Sequence, residues 1–200
     1  MPEPLVRRAR PEDAEAVARI FYETSSDWYD RYTGGRAGAL RVLRAQFVRA
    51  GTGGSFDVCT VAELDGEVAA AVTAYPAREG ARRAGRSLRT ALARLPPVRW
   101  PGAIRIFDRS GRRSTAPPGD TMYVDVLATD ERMRRRGAAR ALMMEVEHRA
   151  SDAGLGAIAL ETDSGNEPAL ALYRGLGFDA VGRHPARPPA PELISLVKRI

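Results

Sequence analysis

Residues 129–141 read TDERMRRRGAARA. An apolar, β-rich run from Thr121 to Ala128 stops just before them, and a stripe of helical spacing, Ala139, Leu142, Val146 and Ala150, begins inside them. The local reading is strand, short basic loop, then a helix over 137–153. The first turn of a helix leaves backbone N–H groups unpaired, and the helix dipole favours negative charge there. Gly137, Ala138 and Ala139 are small, so a ligand can come close to the backbone. Arg134, Arg135 and Arg136 add positive charge and forked donors. The segment suits a phosphate or pyrophosphate. On these residues alone, a solvated basic loop before a helix reads the same way.

Outward from this point the chain alternates between strands and helices. Leu5 to Ala9 predicts a strand, and Pro11-Glu12-Asp13 opens a helix with apolar positions Ala14, Val17, Ala18 and Phe21. A second helix fits 37–50. The runs 56–64 and 67–75 are β-rich, and Asp65-Gly66 between them is a hairpin signal. An odd segment over 77–119 follows, with one short helix over 87–95. After the strand at 121–128 and the helix at 137–153 come a strand at 157–161, a helix at 168–176 and strands at 178–181 and 193–198. A Pro-rich loop, 185–191, precedes the last strand. This order predicts an α/β sheet of mixed direction with helices on both faces.

Composition bounds the function. The 200 residues suffice for one ordinary domain, and 44% hydrophobic with 28% charged residues is globular composition. Apolar stretches of about eight residues are too short to span a membrane, and the N-terminus lacks a signal-like apolar region, so a cytoplasmic protein is expected. The single cysteine, Cys59, excludes an intramolecular disulfide and a cysteine-based zinc site, and His148 and His184 lack metal-like spacing. No metal is expected. The net charge of +6 is uneven: 77–119 holds eleven Arg against Glu79 and Asp108, which leaves −3 on the rest. This basic insert reads as a solvated lid, as a contact for an acidic group, or as a nucleic-acid surface. With only Trp100 and Phe107 to stack on bases, nucleic acid is the weakest of the three.

A second motif lies about 30 residues beyond the first: Asn166-x-x-Ala169-x-x-Leu172-Tyr173-x-x-Leu176-Gly177-Phe178. Together with Arg134-x-x-Gly137-x-Ala139, in this order, it resembles the GNAT superfamily of acyl-CoA-dependent N-acetyltransferases. The resemblance covers 121–183 well and the N-terminal third through element order alone. The insert and Leu160-Glu161-Thr162 are loosely similar to antibiotic-type members. The resemblance implies a single domain over 1–200, built on a mixed, mostly antiparallel sheet of about seven strands. It also implies acetyl-CoA as cosubstrate, with its pyrophosphate on Arg134 to Ala139. Its pantetheine arm would pair with Val126, Leu127 and Thr129 at a splay in the fourth strand. Asn166 would touch that arm or order its loop, and Tyr173 would sit near the sulfur. The family often has Gly where Arg135 stands and Pro after the fourth strand, where this chain has Thr129-Asp130-Glu131.

The chemistry sets further requirements. An amine with a pKa near 10 is mostly protonated at neutral pH, so a base must remove a proton. Glu161, ending the fifth strand, ranks slightly above Asp125, which strict alternation places on the same face as Leu127. Backbone N–H groups near Val126 and Leu127 suit an oxyanion. Tyr173 is the expected acid for the departing thiolate. Transfer would be direct, since no nucleophile is placed for a covalent intermediate. The acceptor site is expected around Tyr22, Glu23, Asp27, Trp28 and Tyr29, because five of the 13 aromatic residues fall within 21–32, interleaved with acids. Such a wall suits a small cationic amine. The other readings are a protein amine as acceptor, a CoA-binding regulatory module without catalysis, or nucleic-acid binding through the insert. A homodimer is common in the family.

Overall fold

The computed structural model describes residues 3–111, 118–186 and 191–200. The end of the basic insert, 112–117, and the middle of the Pro-rich loop, 187–190, lie outside the described residues. Strand β1 (Leu5–Arg8) leads into helices α1 (Ala14–Thr24), α2 (Ser26–Thr33) and α3 (Arg36–Phe47). Strands β2 (Cys59–Leu64) and β3 (Glu67–Pro76) form the expected hairpin. Asp65 and Gly66 have φ of 54° and 80°, the paired positive values of a two-residue turn that matches strand twist. Helices α4 (Gly80–Leu92) and α5 (Trp100–Gly111) precede β4 (Thr121–Thr129). The rest is α6 (Ala138–Asp152), β5 (Ala157–Asp163), α7 (Glu167–Arg174), β6 (Asp179–His184) and β7 (Leu193–Arg199).

The seven strands form one sheet in the order β1-β2-β3-β4-β5-β7-β6. Every neighbouring pair is antiparallel except β4 and β5. The fold class is therefore the expected mixed, mostly antiparallel α/β sheet. On one face, Leu142, Met143, Val146 and Ala150 of α6 pack with Val72, Val124, Ile158 and Leu160. On the other, Val17, Ile20 and Phe21 of α1 and Leu43 and Phe47 of α3 cover Cys59, Val61, Ala71 and Ala128. Burying such a side chain contributes about 1.5–3 kcal/mol, so the two layers fix the sheet between them.

Two elements differ from the sequence reading. Residues 26–33 form α2, whose polar composition hides a helix that Tyr32 pins, at 2% exposure, against Val42, Ala91 and Leu95. The insert holds two helices, and the first begins at Gly80. The inward face of α4 carries Arg83, Ser87, Thr90 and Ala91, which apolar periodicity cannot detect. Nor is α4 a solvated lid. Arg83 donates to Thr52 O at 3.0 Å and pairs with Asp57 and Glu79 at 3.2 and 2.8 Å. Gln46 donates to Ser87 O at 3.0 Å, and Gly53 N donates to Ser87 Oγ at 3.0 Å. These bonds make α4 a fixed wall beside the loop that enters β2.

Candidate active site

The pairing of β4 changes at one residue. Its partner β3 sets Thr73 opposite Val126 and Ala74 opposite Val124, so Asp125 is an extra residue in β4, a β-bulge. On the other edge, β4 and β5 pair only from Thr121/Ala157 to Val124/Leu160, although both strands continue. Beyond that point they part, and the β5-facing edge of Asp125 to Thr129 is open. This is the splay expected in the fourth strand. The facing expected for Asp125 is corrected. Leu127 packs into the α6-side core, whereas Asp125 points to the opposite side, where a Cβ on Gly53 would lie 2.7 Å from its Oδ2. The extra residue breaks the alternation that the sequence reading assumed.

Asp125 is accessible to solvent, with the Tyr75 hydroxyl and Gly53 beside its carboxyl. Burial raises its carboxyl above the ordinary carboxylate range, and a hydrogen bond from the Tyr75 hydroxyl acts against that rise. Tyr29, Tyr75 and Tyr123 also face this charge. Burial first, and the negative charge of Asp125 second, push all three phenols up. They are protonated at neutral pH and present O–H groups around the carboxylate. The rings of Tyr75 and Tyr123 are 6.1 Å apart, and the Arg83 guanidinium lies 5.3 Å over Tyr75. Sequence reasoning missed Tyr75, Tyr123 and Gly53. The two tyrosines are opposite each other in β3 and β4, so the pairing of those strands was the signal available.

At the far end of β4, Asp130 accepts from Arg132 N at 3.0 Å and caps the turn Glu131–Met133. Asp130 thus starts the turn that follows β4. Arg135 has φ of 61° and Gly137 of 85°, both left-handed. Arg135 takes at some cost the conformation that Gly adopts freely. The first intrahelical bond of α6 runs from Ala141 N to Gly137 O, so the N–H groups just before it face outward. Arg136 pairs with Asp65 at 2.7 Å and Arg134 with Glu131 at 3.3 Å. Exposed pairs of this kind are weak, and an anion can displace them. The loop and the β4 splay therefore fit the diphosphate and the amide-bearing arm of a CoA thioester, on Arg134 to Ala139 and on Val126, Leu127 and Thr129.

Asn166 caps α7, its Oδ1 accepting from Ala169 N at 3.2 Å. Tyr173 is 6% exposed, packs 5.6 Å from Phe178, and has its phenol pushed up to about 12 by burial. Glu161 accepts from Ser195 Oγ at 3.1 Å, and its Oε1 is 3.3 Å from His184 Nε2. Of the expected acceptor residues, Tyr29 lies within electrostatic reach of Asp125. The Trp28 ring meets Tyr29 and Tyr32 edge-on, each at 5.1 Å, and Phe107 of α5 at 6.2 Å. Tyr22 donates to Asp30 Oδ2 at 3.2 Å, and Glu23 and Asp27 are exposed. Cys59 is fully buried with its thiol pushed up to about 12, so it is inert.

The sequence profile of the acetyltransferase (GNAT) family matches residues 17–178. The chain belongs to the GNAT acetyltransferase family. It is accordingly an acyltransferase, of a family that transfers acetyl groups from acetyl-CoA to amines. An uncharacterized protein of Mycobacterium leprae is 43% identical over 67 residues, 34% of this chain and 18% of that relative's length. An N-acetyltransferase from Staphylococcus aureus Mu50 has a TM-score of 0.75 at 21% identity, over 97% of this chain and 100% of the other. A second acetyltransferase structure has a TM-score of 0.70 at 21% identity, over 98% and 99%. These two structures share the GNAT fold with this chain. Among the described residues, no group of His, Cys, Asp and Glu suited to a metal occurs. No helix among them is long and apolar enough to cross a membrane.

Proposed function

We propose that this GNAT enzyme acetylates a primary amine on a small cationic molecule, by direct attack within a ternary complex with acetyl-CoA. The observation that carries the reading is Asp125. It lies at the β4 bulge, beside the splay, with a carboxyl raised above its ordinary range and neutral tyrosines around it. A carboxylate tuned upward is a better proton acceptor near neutrality. The structure thus favours Asp125 over Glu161 as the base that takes the ammonium proton, directly or through one water. Tyr29 lies within electrostatic reach of Asp125, and Trp28 braces Tyr29. Tyr22, Glu23 and Asp27 line the approach from α1 and α2.

Acetyl-CoA supplies the activated acetyl group. The loop Arg134 to Ala139 and the open edge of β4 at Val126, Leu127 and Thr129 hold it, and Asn166 orders the start of α7. Backbone N–H groups near Val126 and Leu127 stabilise negative charge at the carbonyl oxygen. Tyr173 stays protonated, and its hydroxyl donates to the departing sulfur. With a phenol near 12, full proton transfer to a thiolate of pKa about 8.5 is uphill, so Tyr173 serves by hydrogen bonding. Cys59 is too deeply buried to be acylated, which supports direct transfer.

Calorimetry with acetyl-CoA tests the reading, followed by thiol release over a panel of amines. Wild-type protein is expected to bind and turn over. The Gly137→Glu variant, with a bulky anion at φ of 85°, is expected to lose binding. A wild-type protein that neither binds acetyl-CoA nor releases thiol with any amine overturns the reading.

A further inference from the structure

The site described so far uses one carboxylate, yet the splay has two. Asp125 and Glu161 are the first residues beyond the last β4–β5 pair, one on each diverging arm. Leu160 and Leu196 belong to the α6-side core, so Glu161 and its partner across β7, Ser195, face the side that Asp125 faces. Tyr123 lies within electrostatic reach of both carboxylates, and each opposes its ionisation. This side of the splay therefore offers an anion, an aromatic ring and a second anion.

The hydrogen bonding around Glu161 has a definite polarity. The Ser195 hydroxyl has one hydrogen and gives it to Glu161 Oε1. Ser195 Oγ must then accept from His184 Nε2, which is 2.8 Å away. A hydrogen on His184 Nε2 satisfies this chain. The Ser195 hydroxyl meets Oε1 at 3.1 Å, and His184 Nε2 lies 3.3 Å from the same oxygen. Among the described residues Oε2 is left for a further donor. The Glu161 side chain is 14% exposed, so its carboxylate is partly desolvated and held in place. A hydrogen-bonded carboxylate of this kind recognises a cation more strongly than one in open water.

We infer that Glu161, positioned by Ser195 and His184, reads a second cationic group on the acceptor. The acceptor class is then a short molecule with two amines, one at Asp125 for acetylation and one at Glu161. The inference rests on the reading of Asp125 as base and adds the charge count of the acceptor to it. Glu161 is a specificity determinant, and Ser195 is a positioning residue for it.

The test is steady-state thiol release at saturating acetyl-CoA, comparing 1,3-diaminopropane and 1,4-diaminobutane with n-propylamine and n-butylamine. Wild-type enzyme is expected to favour each diamine in kcat/KM by about tenfold or more, the effect of one partly desolvated ion pair. Glu161→Gln is expected to bring that ratio near one by raising the KM of the diamine. Ser195→Ala, a smaller change to the fold, is expected to lower the ratio in part. Equal kcat/KM for diamines and monoamines in the wild type overturns the inference and leaves the acetyltransferase reading standing. A fall in kcat for both classes in Glu161→Gln, in a protein that melts like wild type, places Glu161 in proton transfer and also overturns it. Absence of thiol release with every amine overturns both readings.

Discussion

At Asp125 burial and function act in opposite directions. Burial raises its carboxyl, so the folded protein binds this proton more tightly than the unfolded chain does. Stability from this group is therefore greatest below about pH 4 and is lost as pH rises through the raised native value. Asp125→Asn removes that loss. Thermal melts are expected to show the variant above wild type at pH 8, with the gap closing toward pH 4. The same change is expected to lower kcat by about 10²–10⁴ and to abolish the acidic limb of the pH–rate profile. Gly53 gives a second test. A Cβ there would come within 2.7 Å of Asp125 Oδ2, the far end of a side chain that can turn away. Gly53→Ala is expected to fold normally and to lose about 10²-fold in kcat, because the base is displaced.

At the scale of elements, helix starts hold the loops in place. Asn166 caps α7 through Ala169 N, and Asn166→Ala is expected to cost about 1 kcal/mol, measured as a shift in denaturant midpoint. The loop before α6 is set by left-handed residues at 135 and 137. Gly137→Ala is expected to destabilise by about 1–2 kcal/mol and to weaken acetyl-CoA binding in calorimetry. The Asn166 cap and the left-handed residues emerge from the structure, whereas the start of α6 was legible in the sequence because its small residues and apolar stripe are near in the chain. Helix α2 was not, since its residues 26–33 have polar composition and only Tyr32, packed on distant residues, reveals its inner face. The inward face of α4 was hidden for a related reason: Arg83 finds its partners at Thr52 and Asp57 in another loop.

For the molecule as a whole, α4 of the insert packs beside the proposed acceptor site. Arg83 is 6% exposed and joins α4 to the loop before β2, with its ring contact on Tyr75 beside Asp125. Removing one partner of such a pair leaves charges without compensation, at a cost of about 3 kcal/mol or more. Arg83→Met is expected to lower the melting temperature and to raise the acceptor KM, with acetyl-CoA affinity retained, as kinetics and calorimetry will show. The excess of Arg in 77–119 thus has at least one structural use, independent of nucleic acid.

The sequence by itself determined the order of the seven strands and of helices α1, α3, α6 and α7, the Asp65-Gly66 turn, the start of α6 and the two motifs that mark the family. Each depends on the period of apolar residues or on neighbours within a few positions, which local chemistry fixes. Only the tertiary structure decided which carboxylate faces which side. A one-residue bulge in β4, visible solely through its pairing with β3, turns Asp125 away from Leu127 and toward Gly53, Tyr29 and Tyr75. The partners of Glu161, Ser195 and His184, likewise come from strands 34 and 23 positions away. Such contacts are set by sheet register, and register is a property of paired strands that no single strand carries.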